Sequence, residues 1–233
     1  MDGRPVALVT GSRTGVGRYL AEQLVAAGYA VVGCSRQEAD WSSEGYTHIC
    51  ADVAEEAQVK NLFAEIWARF GRLDVAVNNA GVASMNHCLL IPGATLNRVM
   101  SVNVQGVFLV SRESAILMRR RKFGRIVNLS TVAVPLELEG ESVYIASKSA
   151  VEALTRIMSK ELGAFGITVN AIGPGPIETA LIRNVPKAVI ESLVSRLSIK
   201  RMCRPEDVYH VLKFLIDPLS GYITGQVIYL GGA

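Results

Sequence analysis

The sequence predicts an α/β protein: a Rossmann-like, doubly wound parallel sheet of about seven strands with helices on both faces. Two observations carry this. Short β-branched apolar runs alternate with longer stretches of helical periodicity along the whole chain. The runs also show little apolar/polar alternation, as strands buried on both faces of a parallel sheet do. A third observation limits the chain to one domain. Across 233 residues no internal repeat, Pro/Ser-rich linker or low-complexity tract breaks the pattern.

The first strand is expected at residues 6–9 and passes through a glycine-rich turn into a helix over 16–27. Strands follow at 30–34 and 47–50, then a helix over 55–70. A fourth strand at 73–77 precedes a long helix over 95–122, and a fifth at 125–129 precedes another over 142–165. In that helix Ile145, Ala146, Ser149, Ala150, Ala153 and Leu154 make a small-residue face suited to close packing. A sixth strand at 167–172, a short helix near 186–197, a helix over 205–216 and a seventh strand at 226–230 complete the order.

Composition excludes several classes. Half the residues are hydrophobic and 19% are charged, which is incompatible with intrinsic disorder. The net charge of +3 is too small for a dedicated nucleic-acid binder. With three His, and with Cys34, Cys50, Cys88 and Cys203 at no C-x-x-C spacing, no metal centre is expected. The four cysteines are expected to be free thiols in a reducing compartment. The N-terminus shows no basic segment followed by an apolar core, and the longest apolar runs fall far below the ~18 residues of a membrane span. A cytoplasmic protein without membrane or nucleic-acid partners is expected.

Ligands of doubly wound sheets sit outside the C-terminal strand ends, where the strand order reverses. The residues just after each strand are therefore the informative ones. After the first strand come Thr10, Gly11, Ser12, Arg13, Thr14, Gly15, Val16 and Gly17, opening a helix. Gly11 can take a tight positive-φ turn, Gly15 lets backbone approach a pyrophosphate, and Gly17 permits close helix–strand contact. The helix N-terminus adds free N–H groups and partial positive charge for phosphate. The second strand ends in Ser35 and Arg36, where an NAD site would carry Asp or Glu. An Arg there suits a 2′-phosphate, with Ser35 and Arg13 as further donors, so NADP is expected over NAD.

Tyr144 and Lys148 stand four apart on one helix face. A cation near a phenol favours the phenolate, and a phenol so tuned can exchange a proton with an alcohol oxygen. Together with the glycine turn, this pair makes the chain resemble the short-chain dehydrogenase/reductase family in its compact form. The resemblance runs end to end: the 10–17 turn, Asp52 and Val53, the run Asn78, Asn79, Ala80 and Gly81, then Asn103, Tyr144/Lys148, the run Asn170 to Gly175, and 222–226.

The resemblance implies hydride transfer between a nicotinamide cofactor and a carbonyl or alcohol carbon. Tyr144 would be the acid/base, and Lys148 would lower its pKa and hold the nicotinamide ribose. Asn103 would hold a relay water. Asp52 and Val53 would face the adenine, Asn79, Ala80 and Gly81 would line the cleft, and Pro174, Gly175, Ile177 and Thr179 would cover the nicotinamide amide. Dimers or tetramers built on the 95–122 and 142–165 helices would be expected.

Three departures from the family pattern stand out. The family places a Ser thirteen residues before the Tyr to bond the carbonyl, and here that position is Thr131, with Ser130 just before it. Thr131 is the preferred assignment and Ser130 the alternative. Only sixteen residues separate Arg36 from Asp52, so the usual second helix is expected to be lost or reduced to a turn. Acyl-carrier-type 3-oxoacyl reductases are the nearest relatives by pattern, and Arg119 to Lys122 match one of their basic docking positions, but Phe165 replaces the other. A substrate lid is expected over 176–201, with Leu181, Ile182, Val185, Val189 and Ile190 making it apolar. Glu137, Glu139 and Glu141 precede Tyr144 and would disfavour highly anionic substrates if they face the mouth. The resulting expectation is an NADPH-dependent reductase of a small-molecule carbonyl, a ketone or a 3-oxoacyl-type group, free or thioester-bound. The competing expectation is a non-catalytic NADP-binding sensor of the same fold, which would have no need of Tyr144, Lys148 and Asn103 together.

Overall fold

Seven apolar runs become one parallel sheet in the computed structural model of this chain, which describes residues 3–179, 182–183 and 185–233. In chain order the strands are β1 (Val6–Thr10), β2 (Ala30–Ser35), β3 (Tyr46–Cys50), β4 (Val75–Asn78), β5 (Gly124–Leu129), β6 (Ile167–Gly173) and β7 (Val227–Tyr229). Their spatial order is β3-β2-β1-β4-β5-β6-β7, every pair parallel. Strands β1, β4, β5 and β6 are buried along their whole length, which is why they read as continuous rather than alternating apolar runs.

Helices cover both faces. On one side α2 (Glu56–Phe70) and α4 (Gly106–Met118) pack Val59, Leu62, Leu109 and Val110 against Leu8, Val32 and Ile126. On the other, α1 (Gly15–Ala26) and α8 (Pro205–Ile216) pack Leu20, Leu24, Val208 and Leu212 against Ala7, Val9, Val31 and Val127. The remaining helices are α3 (Gly93–Met100), α5 (Ala133–Leu136), α6 (Ser142–Leu162) and α7 (Lys187–Arg196). Short α5 was not expected from the sequence. In the lid segment Ile182, Val185 and Ile190 are partly exposed and Val189 is exposed; Leu181 lies outside the described residues.

Two features differ in form from simple periodicity. The helix expected over 95–122 is split into α3, a π turn at Ser101–Gln105, α4 and a closing turn at Arg119–Arg121. Within the π turn the Asn103 amide turns inward and exchanges two hydrogen bonds with the Val82 backbone, each 2.9 Å, as π turns at functional sites commonly present a side chain. Between β2 and β3 there is no helix. Trp41, from the connecting loop, stacks on Tyr46 with centroids 3.9 Å apart and donates from Nε1 to the Ser12 carbonyl. The Arg18 guanidinium also lies over the Trp41 ring, 5.4 Å from its centroid. Such an aromatic pair adds about 0.5–1.5 kcal/mol beyond the area it buries, and here it covers the flank a helix would cover. Gly33 makes room for this: any Cβ there would run into the Tyr46 and Ser12 hydroxyls.

All four cysteines are unpaired. Among the described residues no helix is long and apolar enough to cross a membrane.

Candidate active site

The strand order reverses between β1 and β4, so the cleft forms where the glycine turn after β1 meets the Asn79–Gly81 loop after β4. Thr10 Oγ1 accepts from the backbone N–H groups of Asn79 and Ala80, both at 3.0 Å. Asn79 Nδ2 returns a bond to the Thr10 carbonyl at 2.9 Å. The two loops are thus stapled into one wall. A Cβ on Gly17 would collide with the Gly11 carbonyl and the Asn79 amide, so that glycine is a packing requirement. Gly15 has φ 60°, and Thr179 lies over it with its methyl 3.5 Å from where a Cβ would be.

A dinucleotide phosphate fits this wall. Helix α1 begins at Gly15 after Thr14, which makes no side-chain cap, and its first turn carries no acid. Its leading N–H groups therefore remain as donors for an anion. Ser12 is buried and held by the Tyr46 hydroxyl at 2.9 Å, while Arg13 and Val16 are partly exposed.

At the end of β2, Arg36 is exposed, and among the described residues it has no hydrogen bond or ion pair. Ser35 Oγ donates to the Gln37 carbonyl at 2.7 Å and meets His48 Nε2 at 3.0 Å, and Arg13 donates to Gln37 Oε1 at 2.6 Å. Gln37, Tyr46 and His48 were not singled out in the sequence; only the strand register and the missing helix bring them to this end. Asp52 spends one carboxylate oxygen on its own turn, accepting from Ala54 N at 3.0 Å. Val53 is buried against Gly106 of α4. Pro174 accepts from Val132 N at 3.1 Å, and Gly175 backs onto Leu197 and Cys203. The Ile177 side chain belongs to the core beside α8, which leaves only its backbone to face a ligand.

Tyr144 and Lys148 on α6, Thr131 after β5 and Asn103 in the π turn come from three different segments and meet at the mouth of this cleft. Lys148 is buried, donates from Nζ to the Leu129 carbonyl at 2.6 Å, and stands 5.9 Å from the Tyr144 ring centroid. Asn103 is fully buried and donates from Nδ2 to Ser147 Oγ at 3.0 Å, which in turn donates to the Tyr144 carbonyl at 2.6 Å. Gly81 lies between the Asn and the Lys. A Cβ there would stand 3.3 Å from Asn103 Oδ1 and 3.7 Å from Lys148 Nζ.

Burial dominates the electrostatics of the pair. Burial pushes the Tyr144 phenol above its ordinary range, and Glu141 adds to the rise. The Thr131 hydroxyl works the other way by hydrogen bonding to the phenol. Burial also brings the Lys148 ammonium down to about 8. Without a ligand the pair is therefore a neutral phenol beside a cation that loses its proton easily. Of the three acids before Tyr144, Glu137 and Glu139 are exposed, whereas Glu141 is partly buried and its own carboxyl is raised by burial. Only Glu141 faces the phenol.

Thr131 and Ser130 part company. Ser130 Oγ turns into α6 and donates to Glu152 Oε1 at 2.6 Å, sharing that buried carboxylate with the Tyr229 hydroxyl at 2.7 Å. Thr131 stays on the Tyr144 side. Thr131→Ala is expected to lower turnover about ten- to a hundredfold and Thr131→Ser to retain most of it. Ser130→Ala should keep kcat but lose about 1–3 kcal/mol of stability, because Glu152 loses a buried donor. Steady-state rates with thermal melts on the three variants separate these outcomes.

The sequence pattern of the family described as enoyl-(acyl carrier protein) reductase matches residues 11–232. The chain belongs to the short-chain dehydrogenase/reductase family. Among its relatives in that family is the 3-oxoacyl-(acyl-carrier-protein) reductase FabG of Staphylococcus aureus, 33% identical over 97% of this chain and 96% of the relative. A hydroxy(phenyl)methyl-succinyl-CoA dehydrogenase subunit, BbsD of Thauera aromatica, is 34% identical over 97% of this chain and 95% of that one. The ligand-free aldohexose dehydrogenase of Thermoplasma acidophilum superimposes with a TM-score of 0.89 at 29% identity, covering 98% of this chain and 93% of that one. This short-chain dehydrogenase/reductase is thus an oxidoreductase by family, and its named relatives act on acyl-carrier, acyl-CoA and sugar substrates.

Proposed function

We propose that the protein is an NADPH-dependent reductase that converts a ketone or a 3-oxoacyl-type carbonyl to a secondary alcohol. The observation that carries this reading is the meeting of Tyr144, Lys148, Thr131 and Asn103 at one cleft mouth beside the glycine turn. A bound nicotinamide cofactor would supply the hydride. The chain's own residues do the rest. The glycine turn and α1 hold the phosphates, and Asn79 to Gly81 with 174–179 wall the cleft against water. Thr131 orients the carbonyl oxygen, and the neutral Tyr144 phenol hands it a proton. Lys148 stabilises the phenolate left behind, and buried Asn103 keeps the proton route open.

The relatives' acyl-carrier and acyl-CoA substrates favour a thioester carbonyl compound. Glu141 beside Tyr144 disfavours an anion placed directly against the phenol. The test is NADPH consumption with a panel of ketones and 3-oxoacyl thioesters. Turnover above background on any of them supports the reading, and NADPH binding without turnover on all of them supports a sensor instead.

Cofactor choice rests on Arg36. A 2′-phosphate carries close to two negative charges, and a guanidinium can pair with it through two parallel N–H bonds. A charge-assisted bond of this kind contributes about 1.5–3 kcal/mol, so NADPH is expected to bind roughly ten- to a hundredfold tighter than NADH. Arg36→Asp should remove that preference and leave NADH binding equal or better. Dissociation constants for both cofactors on both proteins decide it: wild-type protein favouring NADH would overturn the assignment.

A further inference from the structure

At the β2 end of the cleft, away from Tyr144 and Lys148, the loss of the helix between β2 and β3 brings together three side chains that no local motif connects. A Glu38 carboxylate oxygen, a His48 ring nitrogen and Cys50 Sγ all lie within 4.8 Å of one another. His48 and Cys50 are two apart on β3, so both side chains leave the same face of that edge strand. Ser35 pairs with Cys50 in the register, and Glu38 follows Ser35 by three residues, which places its carboxylate over the same strand end. Cys50 Sγ already donates to Glu38 Oε1 at 3.2 Å. A tetrahedral ion with bonds of ~2.0–2.3 Å holds two ligands about 3.5 Å apart, close to that separation.

The imidazole is oriented as well. Tyr46 Oη meets His48 Nδ1 at 2.7 Å, the kind of outer bond that fixes ring direction and tautomer at metal sites. Nε2 lies on the side of the segment carrying Glu38, where its N–H donates to the Gln37 carbonyl at 3.0 Å with Ser35 Oγ at the same distance. To ligate an ion through Nε2 the ring takes the other tautomer, with Nδ1–H donating to Tyr46 Oη. One nitrogen, one sulfur and one carboxylate oxygen suit zinc, with a fourth position open to water.

We propose that Glu38, His48 and Cys50 bind a divalent cation of the zinc type, which clips the 36–45 connection to β3 where the fold lacks its usual helix. On binding, the Cys50 thiol releases its proton to solvent and the ion replaces the S–H···O bridge. The clip would act on stability, because an ion that binds only the folded arrangement of the connection and the edge strand favours the folded state.

Cobalt is the reporting probe. Metal-free full-length protein titrated with Co²⁺ should develop sulfur-to-cobalt charge-transfer absorption that saturates at one ion per chain and is displaced by zinc. A hundredfold excess of zinc over its Kd should raise the thermal midpoint by at least about 5 °C. Cys50→Ser should abolish the charge-transfer band. Glu38→Gln, at an exposed position, and His48→Gln should each weaken cobalt binding at least tenfold. Cys88→Ser, at the other exposed thiol, should leave both signals as in wild type. A band that survives Cys50→Ser, cobalt affinity unchanged in Glu38→Gln, or a midpoint that zinc does not raise overturns the proposal.

Discussion

Replacing Tyr144 with Phe is expected to reduce carbonyl turnover about a hundred- to ten-thousandfold while NADPH binding survives. The phenol hydroxyl is the only part removed. The ring stays where α6 places it, and its contact with Thr131 loses one hydroxyl rather than a packing surface. Because burial and Glu141 hold the phenol protonated, it is poised to give its proton up only when the carbonyl oxygen gains charge. Phe cannot do this at any pH, so the deficit should persist across the pH range. Steady-state kinetics with a fluorescence titration of NADPH separate the two effects. Retention of more than about a tenth of wild-type turnover would remove Tyr144 from the proton-transfer role.

Lys148→Met should produce a loss of activity of similar size together with a gain in stability. Burial has brought the ammonium from its ordinary 10.5 to about 8, so below pH 8 the folded protein carries a buried charge that the unfolded chain would keep in water. At 1.36 kcal/mol per pH unit that cost is about 3 kcal/mol, an order-of-magnitude figure. Removing the ammonium also strands the Leu129 carbonyl, which costs about 1–2 kcal/mol in the other direction. A net gain of about 1–2 kcal/mol at pH 7 remains, or a few degrees in Tm. The sign follows from linkage. Between pH 8 and 10.5 the unfolded chain holds a proton that the folded one has lost, so wild-type stability rises with pH in this window. The variant's advantage should therefore be largest below pH 8 and fade toward 10.5. Melts at pH 7 and pH 10 check it; a variant less stable than wild type at pH 7 would mean that the ammonium's bond to Leu129 outweighs its burial cost.

A buried lysine 5.9 Å from the Tyr144 ring, costly to the fold, is the kind of perturbed group that the proposed proton transfer would use. Asn103 sits in a π turn that interrupts the helical run, with its amide turned inward onto the Val82 backbone.

Several features of the molecule were legible in the chain because they depend on neighbours along it. Strand positions followed from short β-branched runs, and the parallel character followed from their lack of alternation. The glycine turn announced itself because φ near 68° at Gly11 and the tight contact at Gly17 demand glycine locally. The four-residue spacing of Tyr144 and Lys148 set both on one face of α6, and the short interval from Arg36 to Asp52 foretold the missing helix. What the chain could not reveal was anything fixed by burial or by register between distant strands. The direction in which Tyr144 and Lys148 shift depends on how much water the fold removes, and here desolvation is the largest cause for both, raising the phenol and lowering the ammonium. The division of labour between Ser130 and Thr131 depends on Glu152, a buried carboxylate 22 residues away that draws one hydroxyl into the helix. The meeting of Glu38, His48 and Cys50 depends on the β2–β3 register and on the space a helix left open. Local sequence sets which conformations are cheap; only the packed tertiary structure sets the dielectric and the distances that decide what those residues do.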